Sequence, residues 1–147
     1  NKILTLDRIK EVDFNTYPCS MEIDKGEIIF FNHEDESSIR KFTDQHNISH
    51  SNKKDVWKLL CNEFLDTQID DIEVKKNEQT LRKLGISKTE QKQIHKQISF
   101  SMFGTLEWVY LGHWDLLAMK QNRSLLYPLN GSNFYWWTMD IALRDKK

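Results

Sequence analysis

The sequence predicts an α+β fold: an antiparallel sheet built from an N-terminal and a C-terminal β-hairpin, packed against central helices. Three observations predict it. Two β-prone runs near the N-terminus flank a short glycine-containing turn, two more near the C-terminus flank an Asn-Gly pair, and the residues between them carry helical apolar spacing. Neither a repeat nor a Gly/Ser/Pro-rich linker divides the 147 residues. We therefore expect a single globular domain over 1–147.

The N-terminal hairpin is predicted from the segment YPCSMEIDKGEIIFFN. Its glycine-containing turn, centred on Lys25, separates strands at about 18–23 and 27–32. Before the hairpin, the segment LTLDRIKEV has three apolar residues at helical spacing, which indicates a short helix.

Three central helices follow from charge order, spacing and capping. Acidic residues precede and basic residues follow the apolar positions of 35–46, which suits the helix dipole. The segment VWKLLCNEFL has i, i+3, i+4, i+8 spacing from Val56, behind a cap at Ser51 or Asn52. The capping box SKTE begins a helix over 88–103.

The remaining segments carry weaker patterns. Residues 66–80 are mostly polar and predict a connection or a weak helix, followed by a helical turn that ends at Gly85. After Asn130-Gly131, the alternating run from about 134 to 143 predicts a half-buried strand.

The stretch LEWVYLGHWDLLAMK contains three residue types of acid/base chemistry: Glu107, His113 and Asp115. On a helix these side chains point in three directions, whereas on a strand they share one side. An apolar stripe through the stretch favours a helix, so we interpret it mainly as core. The alternative function is therefore a small enzyme or small-ligand-binding domain with a pocket near these three residues.

No motif in the chain points to a particular reaction or cofactor. P-loop, dinucleotide-binding and nucleophile-elbow patterns are absent, and the spacing of His46 and His50 suits two loop residues better than zinc ligands. We expect no cofactor and no metal. Cys19 and Cys61 lack metal-ligand or redox spacing, so we expect free thiols in a cytoplasmic protein with no membrane segment.

Charge is distributed unevenly along the chain. Residues 1–73 contain 9 Lys/Arg and 16 Asp/Glu, whereas residues 74–147 contain 12 and 6. The lysines of 75–96 recur opposite the apolar positions of a helix, which is typical of a solvated face, so we expect no nucleic-acid partner. The acidic first half instead favours a basic protein partner.

These features predict a small non-catalytic cytoplasmic binding protein, with no prediction of its oligomeric state. A short α+β chain that is rich in Lys, Asn, Ile and aromatic residues and lacks a catalytic motif is similar to bacterial immunity proteins. That resemblance implies an antitoxin that binds and neutralises a basic, nuclease-type toxin through an acidic surface. The candidate partner-binding residues are two acidic runs and one tryptophan: Glu34, Asp35, Glu36, Asp66, Asp70, Asp71, Glu73 and Trp136.

Overall fold

The computed structural model of the chain describes residues 3–62, 70–102, 112–122 and 131–144. Within them the architecture is α+β, as predicted. The chain divides into two units, residues 1–54 and 55–147. The first contains a four-stranded sheet, and the described residues of the second are mainly helical. The expectation of one globular domain stays a prediction. No helix within the described ranges is long and apolar enough to cross a bilayer.

The predicted N-terminal hairpin lies at one side of the sheet. Strands β2 (Ser20–Ile23) and β3 (Glu27–Phe30) pair antiparallel, and the turn between them uses a positive φ of 70° at Gly26. Strand β1 (Ile9–Asp13) pairs antiparallel with β2, and β4 (Ser49–His50) pairs parallel with β1. The strand order is β3-β2-β1-β4, so the sheet is mixed and not purely antiparallel as predicted.

The prediction of a helix before the hairpin was wrong. A 3-10 turn at Leu6–Arg8 leads directly into β1. The pairing of β1 with β2 is irregular between Ile9 and Glu11, as in a β-bulge. Because the irregularity offsets the alternation by one residue, Ile9 and Val12 both reach the same hydrophobic core although they are three residues apart. Helical spacing and a bulged strand are indistinguishable in such a short sequence.

Helix α1 (Glu36–Gln45) follows the sheet and confirms the predicted helix at 35–46. Its Ile39 packs against a core formed by Val12, Met21 and Ile23 of the sheet. These three side chains are at most 4% exposed, so the sheet and α1 share one apolar interior.

The second unit contains five helices in its described residues: α2 (Val56–Cys61), α3 (Asp71–Lys83), α4 (Lys88–Met102), α5 (His113–Asn122) and α6 (Gly131–Ala142). All five contribute buried residues to one core, which includes Trp57, Leu60, Leu81, Ile98, Leu116 and Ile141. The Ser87 half of the capping box predicted for α4 is confirmed, since the Ser87 hydroxyl accepts from the Glu90 backbone N–H at 3.2 Å, whereas the Glu90 carboxylate bonds Arg144.

One predicted detail of these helices was wrong. The cap of α2 is Asp55, not Ser51 or Asn52, because the Asp55 carboxylate is the group that accepts from the first free N–H groups of the helix. At 66–80, where a connection or a weak helix was predicted, the described residues begin a 13-residue helix, α3, which runs to Lys83, and Gly85 ends it as predicted. The first turn of α3 is acidic and its last turn is basic.

The predicted C-terminal hairpin was also wrong, because α6 begins where its turn was expected. Phe134, Trp137 and Ile141 lie at i, i+3 and i+7, and all three contact the core of the second unit. The same run also has apolar residues at alternate positions from Tyr135 to Leu143, with the polar Thr138 and Asp140 between them. Because nearly every position is apolar, the sequence fits both the two-residue period of a strand and the 3.6-residue period of a helix. The burial of Phe134, Trp137 and Ile141 along one side identifies the helix.

Candidate functional site

His113, the first residue of α5, is the central residue of the predicted pocket. Its side chain is 2% exposed. Ring atom Nε2 lies 3.0 Å from the Thr138 hydroxyl, and that hydroxyl donates to the Tyr135 carbonyl at 2.8 Å. Because a hydroxyl has one hydrogen, it must accept from the ring, so Nε2 carries the proton of a neutral imidazole.

Burial determines the charge of His113. The ring stacks against Trp57 with 6.1 Å between centroids and 26° between planes. Removal from water lowers the pKa of His113 from an ordinary value of 6.5 to about 3. The imidazole is therefore uncharged at neutral pH.

Two carboxylates lie at the start of α5, and both accept backbone N–H groups. Asp55 Oδ2 accepts from the His113 N–H at 3.0 Å, while Asp55 Oδ1 accepts from the N–H groups of Trp57 and Lys58 in α2. Asp115 Oδ2 accepts from the Gly112 N–H at 2.8 Å. Burial raises the pKa of both carboxyls, against the opposing effect of these hydrogen bonds.

These contacts form a structural network. In a catalytic triad a carboxylate orients the imidazole ring and the ring activates a free hydroxyl. Here the Asp55 carboxylate holds the backbone of His113, and the Thr138 hydroxyl donates to a carbonyl of its own helix. Cys61 in the same core is fully buried, and burial raises the pKa of its thiol, which keeps it protonated. Glu107, the third predicted pocket residue, lies outside the described residues.

Lowering the pH from 7 to 5 is expected to reduce the free energy of unfolding through His113. The unfolded chain gains a proton near pH 6.5, but the folded ring does so only near pH 3, so stability falls as the pH drops below 6.5. The reduction reaches about 2 kcal/mol at pH 5.

The measurement compares urea unfolding of the wild type and His113→Gln across this range. The raised pKa values of Asp55 and Asp115 contribute with the opposite sign in both proteins, so the difference between the two pH profiles isolates His113. Profiles of equal slope would contradict the buried neutral imidazole.

The first predicted acidic run lies at the start of α1. Glu34 and Asp35 are exposed. Glu36 bonds Arg40 at 2.8 Å and His33 at 3.2 Å, and the Arg40 guanidinium, with a smaller effect of His33, holds the pKa of Glu36 below its ordinary value. Two of the three carboxylates therefore face solvent without an ion pair to any residue that the structure describes.

The second predicted acidic run belongs to the start of α3. The Asp70 carboxylate accepts from the Ile72 N–H at 3.3 Å and caps the helix, while Asp71 and Glu73 lie exposed in its first turn. Acids at this end stabilise the helix dipole, which accounts for them without a partner. Asp66 lies outside the described residues.

Two exposed aromatic side chains complete the candidates. Trp136 on α6 is 46% exposed, and its ring packs edge-on against Tyr135. Tyr17, which was not among the predicted site residues, is 69% exposed, with its ring centroid 5.9 Å from that of His33. The available signal was its position between a turn-prone segment and Pro18, outside the predicted strands.

One groove in the described part of the chain is a candidate site for a small ligand. No group of three or more His, Cys, Asp or Glu residues there is placed to hold a metal ion. A shallow groove between α2, α3 and α4 has apolar walls that include Leu59, Val74 and Leu81, with His95 at its side. The His95 ring bonds the Leu60 carbonyl at 2.7 Å, so this imidazole also holds two helices together.

No family model, curated protein or solved structure was found to match the chain.

Proposed function

We propose that the protein is a small non-catalytic binding protein that recognises a basic protein partner. The observation that carries this proposal is the exposed ring of Tyr17 beside His33, which is followed in the chain by exposed Glu34 and Asp35. We call Tyr17, His33, Glu34, Asp35 and Glu36 the acidic-aromatic patch.

The chemistry of the acidic-aromatic patch suits Lys and Arg side chains. Tyrosine is enriched among the residues that dominate binding energy, and its ring face attracts guanidinium and ammonium groups. Carboxylates at the same place raise the association rate of a positively charged protein and discriminate against acidic ones. Neither Glu34 nor Asp35 is needed for an ion pair within the described residues, so both are available to a partner.

A nuclease-type toxin is the concrete partner that we propose, with the chain as its cytoplasmic antitoxin or immunity protein. Nuclease domains need a basic surface to hold phosphate, and an acidic protein that covers this surface blocks substrate binding. The excess of acids in residues 1–73 supports this complementarity. The alternative of a catalytic pocket receives no comparable support, since His113 and Asp115 make structural contacts.

Reversing the charge of Glu34 and Asp35 is expected to slow partner association about tenfold in low salt, with a smaller effect in high salt. The protein is first used to capture proteins from its native cells in low salt, and a stoichiometric basic protein that high salt releases is taken for kinetics. Association of this partner is then compared between the wild type and E34K/D35K.

Matched variants locate the interaction. Asp7→Lys reverses an exposed charge elsewhere in the first unit and should leave association within about twofold of wild type. D71K/E73K measures the contribution of α3, and Tyr17→Ala should mainly raise the dissociation rate. Failure to retain a basic protein, or equal rates for the wild type and E34K/D35K, would overturn the proposal.

A further inference from the structure

Helices α3 and α4 follow each other directly in the chain, as the two helices of a helix-turn-helix do. A four-residue turn, 84–87, joins them. The N–H of Gly85 donates to the Arg82 carbonyl at 3.0 Å, and the N–H of Ile86 donates to the Leu81 carbonyl at 2.9 Å. With the positive φ of 75° at Gly85, these bonds are the Schellman motif that ends a helix sharply. The direction of α4 is thus set immediately after α3 ends.

Helix α2 supports the other side of this pair. It packs against both α3 and α4, and Leu81, Ile86 and Ile94 are all buried in the core that it shares with them. Gln91 is buried as well, and its side-chain amide donates to the Ile86 carbonyl at 3.3 Å. One side of α4 is therefore fixed in the core, and the opposite side faces out.

The outward side of α4 is basic and polar. Successive residues of a helix rotate by about 100°, which places exposed residues, five of them between Lys88 and Lys96, on the side away from Ile94 and Ile98. Glu90 projects to the side and bonds Arg144 at 2.6 Å, and Glu78 of α3 bonds Lys88 at 3.0 Å, so the positive charge of this side comes mainly from Lys92 and Lys96. We call the five exposed residues the α4 outer face: Lys88, Thr89, Lys92, Gln93 and Lys96.

We propose that the α4 outer face binds duplex DNA in the major groove. This groove admits one α-helix, and the second helix of a helix-turn-helix is the one that enters it. Lysine binds phosphate and guanine, and glutamine matches the edge of adenine. Arg82 and Lys83, exposed at the end of α3, add positive charge next to the turn.

Duplex DNA fits this face better than duplex RNA, whose deep and narrow major groove does not admit a helix. The proposal is independent of the protein partner, since it concerns the second unit and not the acidic-aromatic patch. It departs from the expectation of no nucleic-acid partner, which rested on the lysine spacing alone. A row of lysines on a helix is ordinary, but here Lys92 and Lys96 lie on the helix that follows a Schellman turn, and the second helix of a helix-turn-helix is the one that contacts DNA bases.

The test is fluorescence anisotropy in low salt with a mixed-sequence DNA duplex of about 20 base pairs, two turns of B-DNA. We expect the wild type to bind, and K92E/K96E to bind at least about thirtyfold more weakly with a lower dependence of affinity on salt. K25E/K41E reverses two exposed lysines of the first unit and is the matched control, expected within about twofold of wild type.

Comparison ligands and folding controls make the result decisive. The single strand and an RNA duplex of the same sequence should bind more weakly than the DNA duplex. Circular dichroism should show unchanged folding, since Lys92 and Lys96 are exposed, and K92Q/K96Q provides a milder second variant. Absence of duplex binding by the wild type, preference for RNA or single strands, or an equal loss in K25E/K41E would overturn the proposal.

Discussion

Replacing Trp57 by alanine is expected to lower the free energy of unfolding by about 3–5 kcal/mol. The indole is fully buried. It packs edge-on against Trp137 at 5.5 Å, stacks on His113, and donates from Nε1 to the Thr138 carbonyl at 2.9 Å. Truncation opens a cavity where α2, α5 and α6 meet. Urea unfolding followed by far-ultraviolet circular dichroism measures the loss.

Trp136→Ala is the matched control for this experiment. It removes the same side chain from α6, but this indole is 46% exposed, so we expect a loss below about 1 kcal/mol. Trp57→Phe keeps most of the side-chain volume and removes the Nε1 donor. Its loss in the free energy of unfolding should lie between those of the two alanine variants. Similar losses for the two alanine variants would contradict the central position of Trp57.

Replacing Asp55 by alanine is expected to cost about 2–4 kcal/mol. This carboxylate accepts from two N–H groups of α2 and from the N–H of His113 in α5. Its removal leaves the starts of both helices without their acceptor. The same urea experiment measures the effect.

Asp70→Ala provides the comparison for a cap of ordinary strength. Asp70 is exposed and accepts one N–H, that of Ile72 at 3.3 Å, so its removal should cost about 0.5–1 kcal/mol. Asp55→Asn keeps one acceptor oxygen, but its amide group faces the N–H donors that the second oxygen bonds in the wild type. The variant should therefore lose nearly as much stability as Asp55→Ala. If Asp55→Ala costs no more than Asp70→Ala, Asp55 is an ordinary cap and the link between α2 and α5 is not significant.

Elements with signals of their own could be predicted from the sequence. The hairpin around Gly26 combines two β-prone runs with a residue that accepts positive φ, and α4 combines Ser87 as a cap with regular apolar spacing. In both, the local sequence and the final packing favour the same structure.

The wrong predictions arose where one sequence pattern is compatible with both a helix and a strand. Residues 134–142 are apolar at almost every position, so strand alternation and helix spacing both fit until the buried stripe of α6 is known. Strand β1 contains an irregularity that moves Ile9 onto the face of Val12, which mimics a helix. Tertiary packing decides such cases.

The network around His113 could not be predicted from the sequence, because it consists of contacts between residues distant in sequence. An aspartate directly before Val56 was a readable cap signal, but its bond to the N–H of His113 joins positions 58 residues apart. The bond of His113 to Thr138 spans 25 residues and crosses from α5 to α6. No spacing rule contains this information. The lysines of α4, by contrast, could be identified in the sequence. What the structure adds is the turn that joins α4 to α3.

The position of Asp55 also bears on how the second unit opens. A helix usually frays from its ends, one terminus at a time. Here the two oxygens of one carboxylate hold the beginnings of α2 and α5, so the release of either beginning weakens the other. These two termini therefore behave as a single cooperative element, and local opening in this part of the molecule costs the contacts of both helices at once.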